Sequence, residues 1–294
     1  MSSREIIVSL CSRGKFILTR DGLKAFLTKG IRYASSVFWV YVQRLSHLDQ
    51  ILYSMSIRRL RYYKTREEGL NDIVSTAYNY RGFGVFRLMT PIQFREEIIP
   101  FAELCRARSP RVLVEIGTAY GGVLYILARY LTSLKKIVCI DSDERYFNIG
   151  FFRQRARFMK AFAPDKEIHC ITGNSHASLV EAELLRILNG DKIDILFIDG
   201  DHSYEGAMDD FERYGKYVAQ DGVIAFHDIV YSKYNTNASR AWVTIKRKAA
   251  RTTDLVFREA KIQAGIGVVF NEGAIDHQPT RSVGTMNHEV PTQR

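Results

Sequence analysis

Two short clusters carry the side chains best suited to chemistry: Asp199-Gly-Asp201-His202 and His227-Asp228. An imidazole titrates near neutrality and can take the proton of a hydroxyl. Carboxylate oxygens suit hard divalent ions such as Mg2+, and mixed carboxylate and imidazole sets also suit Mn2+, Fe2+ or Zn2+. A lone His behind a strand is ordinarily structural, but here two His and three Asp would meet at one edge. Upstream lies Glu115-Ile-Gly-Thr-Ala-Tyr-Gly-Gly122. Its glycines, Gly117, Gly121 and Gly122, allow a sharp turn and close backbone approach to a ligand. Amides at the start of the following helix, near Thr118, can hold polar or anionic groups. Asp141 follows Gly117 by 24 residues; it can accept both hydroxyls of a ribose or cap a helix. Asn174 and Ser175 offer short polar side chains that could meet a base edge or form a plain turn.

These residues must be positioned by an alternating core. The apolar runs 112–116, 136–140, 167–171, 193–198 and 222–226 are short and rich in Val and Ile, as in parallel strands buried on both faces. Between them, 122–131, 144–160, 177–188 and 204–218 have helical periodicity. Repeated βα units predict a doubly wound parallel sheet with right-handed crossovers, and ligands then bind beyond the carboxyl ends of the strands. A helix over 239–249 and a terminal hairpin from 255–258 and 266–270 complete it. The fold class is α/β: a Rossmann-like seven-stranded sheet, mostly parallel with a C-terminal antiparallel hairpin, plus an N-terminal helical extension. The expected organisation is a basic helical extension over 1–70, a linker over 71–90, the catalytic domain over 91–275 and a flexible tail over 276–294. Thr90-Pro91 is expected to open a helix running through Gln93, Phe94, Ile98 and Leu104. The stretch 23–63 lacks Pro and reads as one or two amphipathic helices packed on the domain.

Charge separates the extension from the rest. The 294 residues carry 42 Lys+Arg against 32 Asp+Glu, a formal charge of +10. Residues 1–66 hold 13 of the bases and 3 of the acids, so the whole surplus lies there, and the remaining 228 residues balance at 29 and 29. A basic segment beside a neutral domain suggests an anionic partner such as a membrane surface. The apolar stretch 34–42 is far short of the roughly 20 residues of a spanning helix, and no secretory signal is visible. The cysteines, Cys11, Cys105, Cys139 and Cys170, are widely spaced, which argues against structural zinc or a disulfide scaffold and suits a reducing cytoplasm. Cytoplasmic residence, with peripheral membrane attachment through 1–66, is the expectation.

The run VLVEIGTAYGG, followed by CIDSDE, GNS, FIDGDHSYEGAMDDFERYGKYVAQDGVIAFHD and GIGVVF, resembles class I S-adenosylmethionine-dependent methyltransferases. More narrowly it is similar to the macrocin- and mycinamicin-type sugar O-methyltransferases and the cephalosporin-hydroxylase-like proteins. The likeness covers about 90–270 and leaves out 1–70. It implies that Glu115, Gly117, Thr118, Gly121 and Gly122 cradle the methionine part of S-adenosylmethionine, that Asp141 holds its ribose, and that Asn174 and Ser175 lie near adenine. It further implies Asp199, His227 and Asp228 as ligands of Mg2+ or Mn2+, and His202 as general base. His227 departs from the usual pair of acids, or Asp-Asn, at that place. The implied acceptor is a small-molecule or glycan hydroxyl, on a sugar, glycolipid or secondary metabolite. Nucleic acid is not expected as a partner; a homo-oligomer is allowed. Two other readings stay open. One is a non-catalytic binding protein that uses its basic segment on membrane or nucleic acid. The other is an NAD-dependent oxidoreductase, since Gly117-x-Ala119-x-x-Gly122 is a tolerable dinucleotide turn.

Overall fold

A computed structural model describes residues 34–35, 38–40, 42, 48–142, 150–230, 237–257 and 264–272. The tail expected over 276–294, and most of the extension before residue 48, lie outside the described residues.

Seven strands form one sheet in the order β3-β2-β1-β4-β5-β7-β6. They are β1 Val112–Ile116, β2 Lys136–Asp141, β3 Glu167–Thr172, β4 Ile193–Ile198, β5 Val218–His227, β6 Thr252–Leu255 and β7 Ile266–Phe270. β1 to β5 pair in parallel, and β7 lies antiparallel between β5 and β6. The chain leaves β1 toward β2 and β3, then crosses back to β4. That reversal makes a crevice at the carboxyl ends of β1 and β4, where ligands bind in such sheets. β1 is buried along its whole length. Its alternate residues enter opposite cores: Leu113 joins one apolar cluster, and Val112, Val114 and Ile116 join the other. That is why the run reads as continuously apolar rather than alternating.

Eight helices among the described residues cover the two faces: α1 Asp49–Lys64, α2 Leu70–Asn79, α3 Arg95–Arg106, α4 Gly122–Tyr130, α5 Phe151–Lys160, α6 Ser178–Leu188, α7 Tyr204–Gly215 and α8 Asn237–Lys248. Three expectations need correction. The strand expected at 255–258 runs over Thr252–Leu255 instead, where its register against β7 pairs Leu255 with Ile266. The helix expected from Thr90-Pro91 begins only at Arg95, because Phe94 is still extended and the Glu97 side chain accepts from its amide at 3.2 Å. Residues 71–90 are not a spacer. They hold α2 and the 3₁₀ turn Gly84–Phe86, and Val74, Ala77, Tyr80 and Phe86 are fully buried in the core.

α1 is fastened to that same layer, which bears out packing on the domain for this part of the extension. The Ser56 hydroxyl accepts from the Phe83 amide at 3.0 Å, the Tyr80 hydroxyl donates to the Ser56 carbonyl at 3.0 Å, and Lys64 donates to the Phe162 carbonyl at 3.0 Å. Arg155 of α5 is wholly buried. Its guanidinium donates to the carbonyls of Val85, Leu88 (2.6 Å) and Tyr120 (2.7 Å), tying 84–88 to the glycine turn. Three buried carbonyls on one cation satisfy a charge that would otherwise be costly in the core. Cys105, Cys139 and Cys170 are free thiols; the first two are buried.

Candidate active site

The turn after β1 is shaped by close approach. Gly117 has φ +88°, and a Cβ there would lie 2.1 Å from the Asp199 carbonyl oxygen. The ends of β1 and β4 therefore touch backbone to backbone, with the Asp199 amide donating to the Ile116 carbonyl at 2.8 Å. A Cβ on Gly122 would meet the backbone of Met89 and Pro91 within 2.5 Å, so α4 begins against the 89–91 strap. Ala119 takes φ +48°, a left-handed conformation that costs an L-residue about 1–2 kcal/mol. Its amide donates to the Asp141 carboxylate at 2.5 Å, which links the ends of β1 and β2.

Glu115 sits inside this turn and is only 2% exposed. Burial pushes its carboxyl up to about 8, and the charges of Asp199 and Asp141 add to the rise. Its Oε2 has no hydrogen-bond partner. An orphaned buried carboxyl oxygen beside a glycine turn fits a ligand that brings its own cationic or N–H groups. Asn174 uses its side-chain oxygen locally, accepting from the His176 amide at 2.9 Å, and the Ser175 carbonyl accepts from the Tyr214 hydroxyl. Both stand at the end of β3, beside the Asp141 edge, where the sequence placed them.

At the ends of β4 and β5 the second group comes together. Asp199 Oδ1 is 3.2 Å from His202 Nε2 and 3.2 Å from His227 Nδ1. His202 Nδ1 is 3.0 Å from Asp228 Oδ2. Asp228 holds φ +61°, a region that Asp tolerates better than most residues and that collects at functional sites. His227 is nearly sealed, with a side chain 2% exposed, whereas that of His202 is 43% exposed. Burial works against the imidazolium of His202, but its bonds to Asp199 and Asp228 outweigh it and push the ring up to about 10. Burial likewise opposes the charge on His227, yet Asp199, Glu97 and Asp228 raise it well above the usual histidine range. In return, burial of Asp199 and Asp228 is outweighed by the two histidines, which hold both carboxyls below the usual range. The cluster is thus two imidazoliums interleaved with carboxylates. Asp201 does not take part: it accepts from the Ser203 amide at 2.8 Å, at the start of α7.

Two members of this cluster escaped the sequence reading. Gln93 donates to Asp199 Oδ2 at 2.8 Å. Glu97, wholly buried, accepts from the Gly265 amide at 2.9 Å and from Phe94, and its Oε2 lies 3.8 Å from His227 Nε2. The only local signal was Glu97 three residues after a helix boundary, a capping position. Their partners lie 106 to 168 residues away.

The expected Mg2+ or Mn2+ site is not what this arrangement makes. Asp199, His227 and Asp228 are brought together, yet each faces another member of the set. Among the described residues, no group of three or more His, Cys, Asp or Glu is disposed to hold a metal ion. Both ring nitrogens of His202 and Nδ1 of His227 lie against the carboxylates of Asp199 and Asp228, while His227 Nε2 is sealed in 3.8 Å from Glu97 without a hydrogen-bond partner, so the donor set as arranged does not fit one.

A seven-stranded sheet of this order, with a glycine turn after β1 and an acid ending β2, is the class I S-adenosylmethionine-dependent methyltransferase fold. A family model described as "Methyltransferase domain" matches residues 114–229, from β1 to just past β5. An uncharacterized protein, R132, of Acanthamoeba polyphaga mimivirus is 32% identical over 120 residues, which are 39% of this chain and 50% of that protein. The chain thus spans about half the length of the curated relative it matches. Among solved structures, an O-methyltransferase from Bacillus cereus in complex with SAH is 17% identical, covering 71% of this chain and 96% of that one, with a TM-score of 0.46. The O-methyltransferase TomG from Streptomyces achromogenes, in complex with SAM, is 18% identical, covering 72% and 95%, with a TM-score of 0.48.

Proposed function

We propose that this protein transfers a methyl group from S-adenosylmethionine to a hydroxyl of a sugar, glycolipid or secondary metabolite, with His202 as general base. The observation that carries this reading is the placement of His202. It is the half-exposed imidazole of a buried cluster, bridged between Asp199 after β4 and Asp228 after β5, with β4 the neighbour of β1 and its glycine turn. The bound cofactor would supply an electrophilic methyl on a sulfonium.

The chain's own residues do the rest. Glu115 and the amides of the Gly117–Gly122 turn receive the polar end of the cofactor, Asp141 its ribose, and Asn174 and Ser175 its base. Methyl transfer needs the acceptor oxygen held about 3 Å from the methyl carbon, and a hydroxyl must lose its proton as it attacks. Both ring nitrogens of His202 face carboxylates at rest, so an acceptor hydroxyl arriving from the exposed side must take the place of one carboxylate to hand its proton to the ring. Asp199 and Asp228 stabilise the imidazolium that results and hold the ring plane. His227 and Glu97 stay sealed behind them and keep Asp199 oriented. No step is routed through a divalent ion.

Replacing His202 by Gln tests this. With candidate hydroxyl acceptors and labelled S-adenosylmethionine, turnover should fall at least about a hundredfold, while cofactor affinity by calorimetry stays within a factor of about two. Full turnover in that variant would remove His202 from the reaction. Titration with NAD, expected to show no binding, separates this reading from an oxidoreductase.

A further inference from the structure

The outer face of α1 has a composition that neither the core nor the site explains. Nine large hydrophobic side chains are exposed among the described residues, and four of them, Leu48, Ile51, Met55 and Tyr62, lie in α1 or directly before it. Helical spacing sets Ile51, Met55, Arg58 and Tyr62 one above another along a cylinder about 24 Å long. Arg59 and Arg61 fall on opposite flanks of that stripe, and all three arginines are exposed. The inner face is different: Ser56 and Leu60 are buried against the domain. Two of the acids nearby are paired with the domain, Asp49 with Arg157 and Glu67 with Arg129. Arg66 lies over the Tyr62 ring at 4.1 Å, extending the basic character to the end of the helix.

We propose that this face docks on an anionic lipid bilayer, with Ile51 and Met55 entering the headgroup boundary and Arg58, Arg59 and Arg61 meeting lipid phosphates. A helix lying in a membrane interface needs a basic polar zone flanking an apolar stripe, and basic side chains gain from the negative surface potential of such a membrane. Nucleic acid would reward the arginines but not exposed Ile and Met. A second copy of the chain would set arginine against arginine across a two-fold axis. The methyl-transfer reading is not needed for this inference.

The test is sedimentation of the full chain with phosphatidylcholine vesicles that contain or lack phosphatidylglycerol. Binding is expected only with the anionic lipid, and it should weaken as salt is raised. The variant R58E/R59E/R61E should lose binding by about a hundredfold. A second variant, Ile51→Ser with Met55→Ser, keeps the charge and should lose about tenfold through lost apolar burial alone. Leu179→Ser, an exposed site on α6, should change nothing. Equal binding by native chain and both helix variants would overturn the proposal. So would equal binding to neutral vesicles, or retention of RNA with no vesicle binding.

Discussion

His202 Nδ1 lies 3.0 Å from Asp228 Oδ2, so the loop after β4 is bound to the residue that follows β5 through one imidazole. The same ring reaches Asp199 with its other nitrogen. A base held this way is strong but largely protonated at rest, since the two carboxylates push it up to about 10. Only the neutral ring accepts a proton. kcat/KM should therefore rise about tenfold per pH unit from neutrality and level off toward pH 10. A pH–rate profile checks this. His202→Gln should flatten the rise, and an unchanged slope in that variant would assign the ionisation to another group.

Metal removal gives a separate outcome. With the carboxylates of Asp199 and Asp228 engaged by His202 and His227, turnover should survive dialysis against EDTA. Loss of turnover, restored by Mg2+ or Mn2+, would mean that these side chains rearrange around an ion.

Glu115 links cofactor binding to protons. Its carboxyl, raised to about 8 by burial, is protonated at pH 7 in the free chain. A cationic ligand beside it favours the carboxylate, so binding should release a proton and tighten as pH rises toward 8. Calorimetry in buffers of different ionisation enthalpy measures that release, and Glu115→Gln should abolish it. Stability has the opposite sign. A folded-state pKa above the unfolded value contributes fully below about 4.5 and is lost as pH rises through 8.

Gly117→Ala tests the contact between strand ends. The new Cβ would meet the Asp199 carbonyl oxygen at 2.1 Å, in a left-handed conformation unfavourable for Ala. A loss of about 1–3 kcal/mol in denaturant unfolding is expected, together with a marked fall in turnover, because the strand end that carries Asp199 must move. Wild-type turnover would show that the two ends are not coupled.

The βα alternation was legible in the sequence because each parallel strand, buried on both faces, leaves a short continuous apolar run. The glycine turn and the acids at strand ends were legible because they fall immediately after those runs. Residues 71–90 misread as a linker because the turn residues of Tyr78–Gly84 hide a helix whose burial depends on partners outside it. Gln93 and Glu97 could not be read as members of the site, since that role comes from Asp199, His227 and Gly265 across the sheet. The sequence by itself determined the sheet and the strand-end positions of Glu115, Asp141, Asn174, Asp199, His202 and Asp228, because local periodicity encodes where strands stop. Only tertiary structure decided how those groups meet. Whether His227 faces a metal or a carboxylate, and whether Glu115 keeps its proton, depends on distances of a few ångströms and on burial, which arise only when strands far apart in the chain become neighbours.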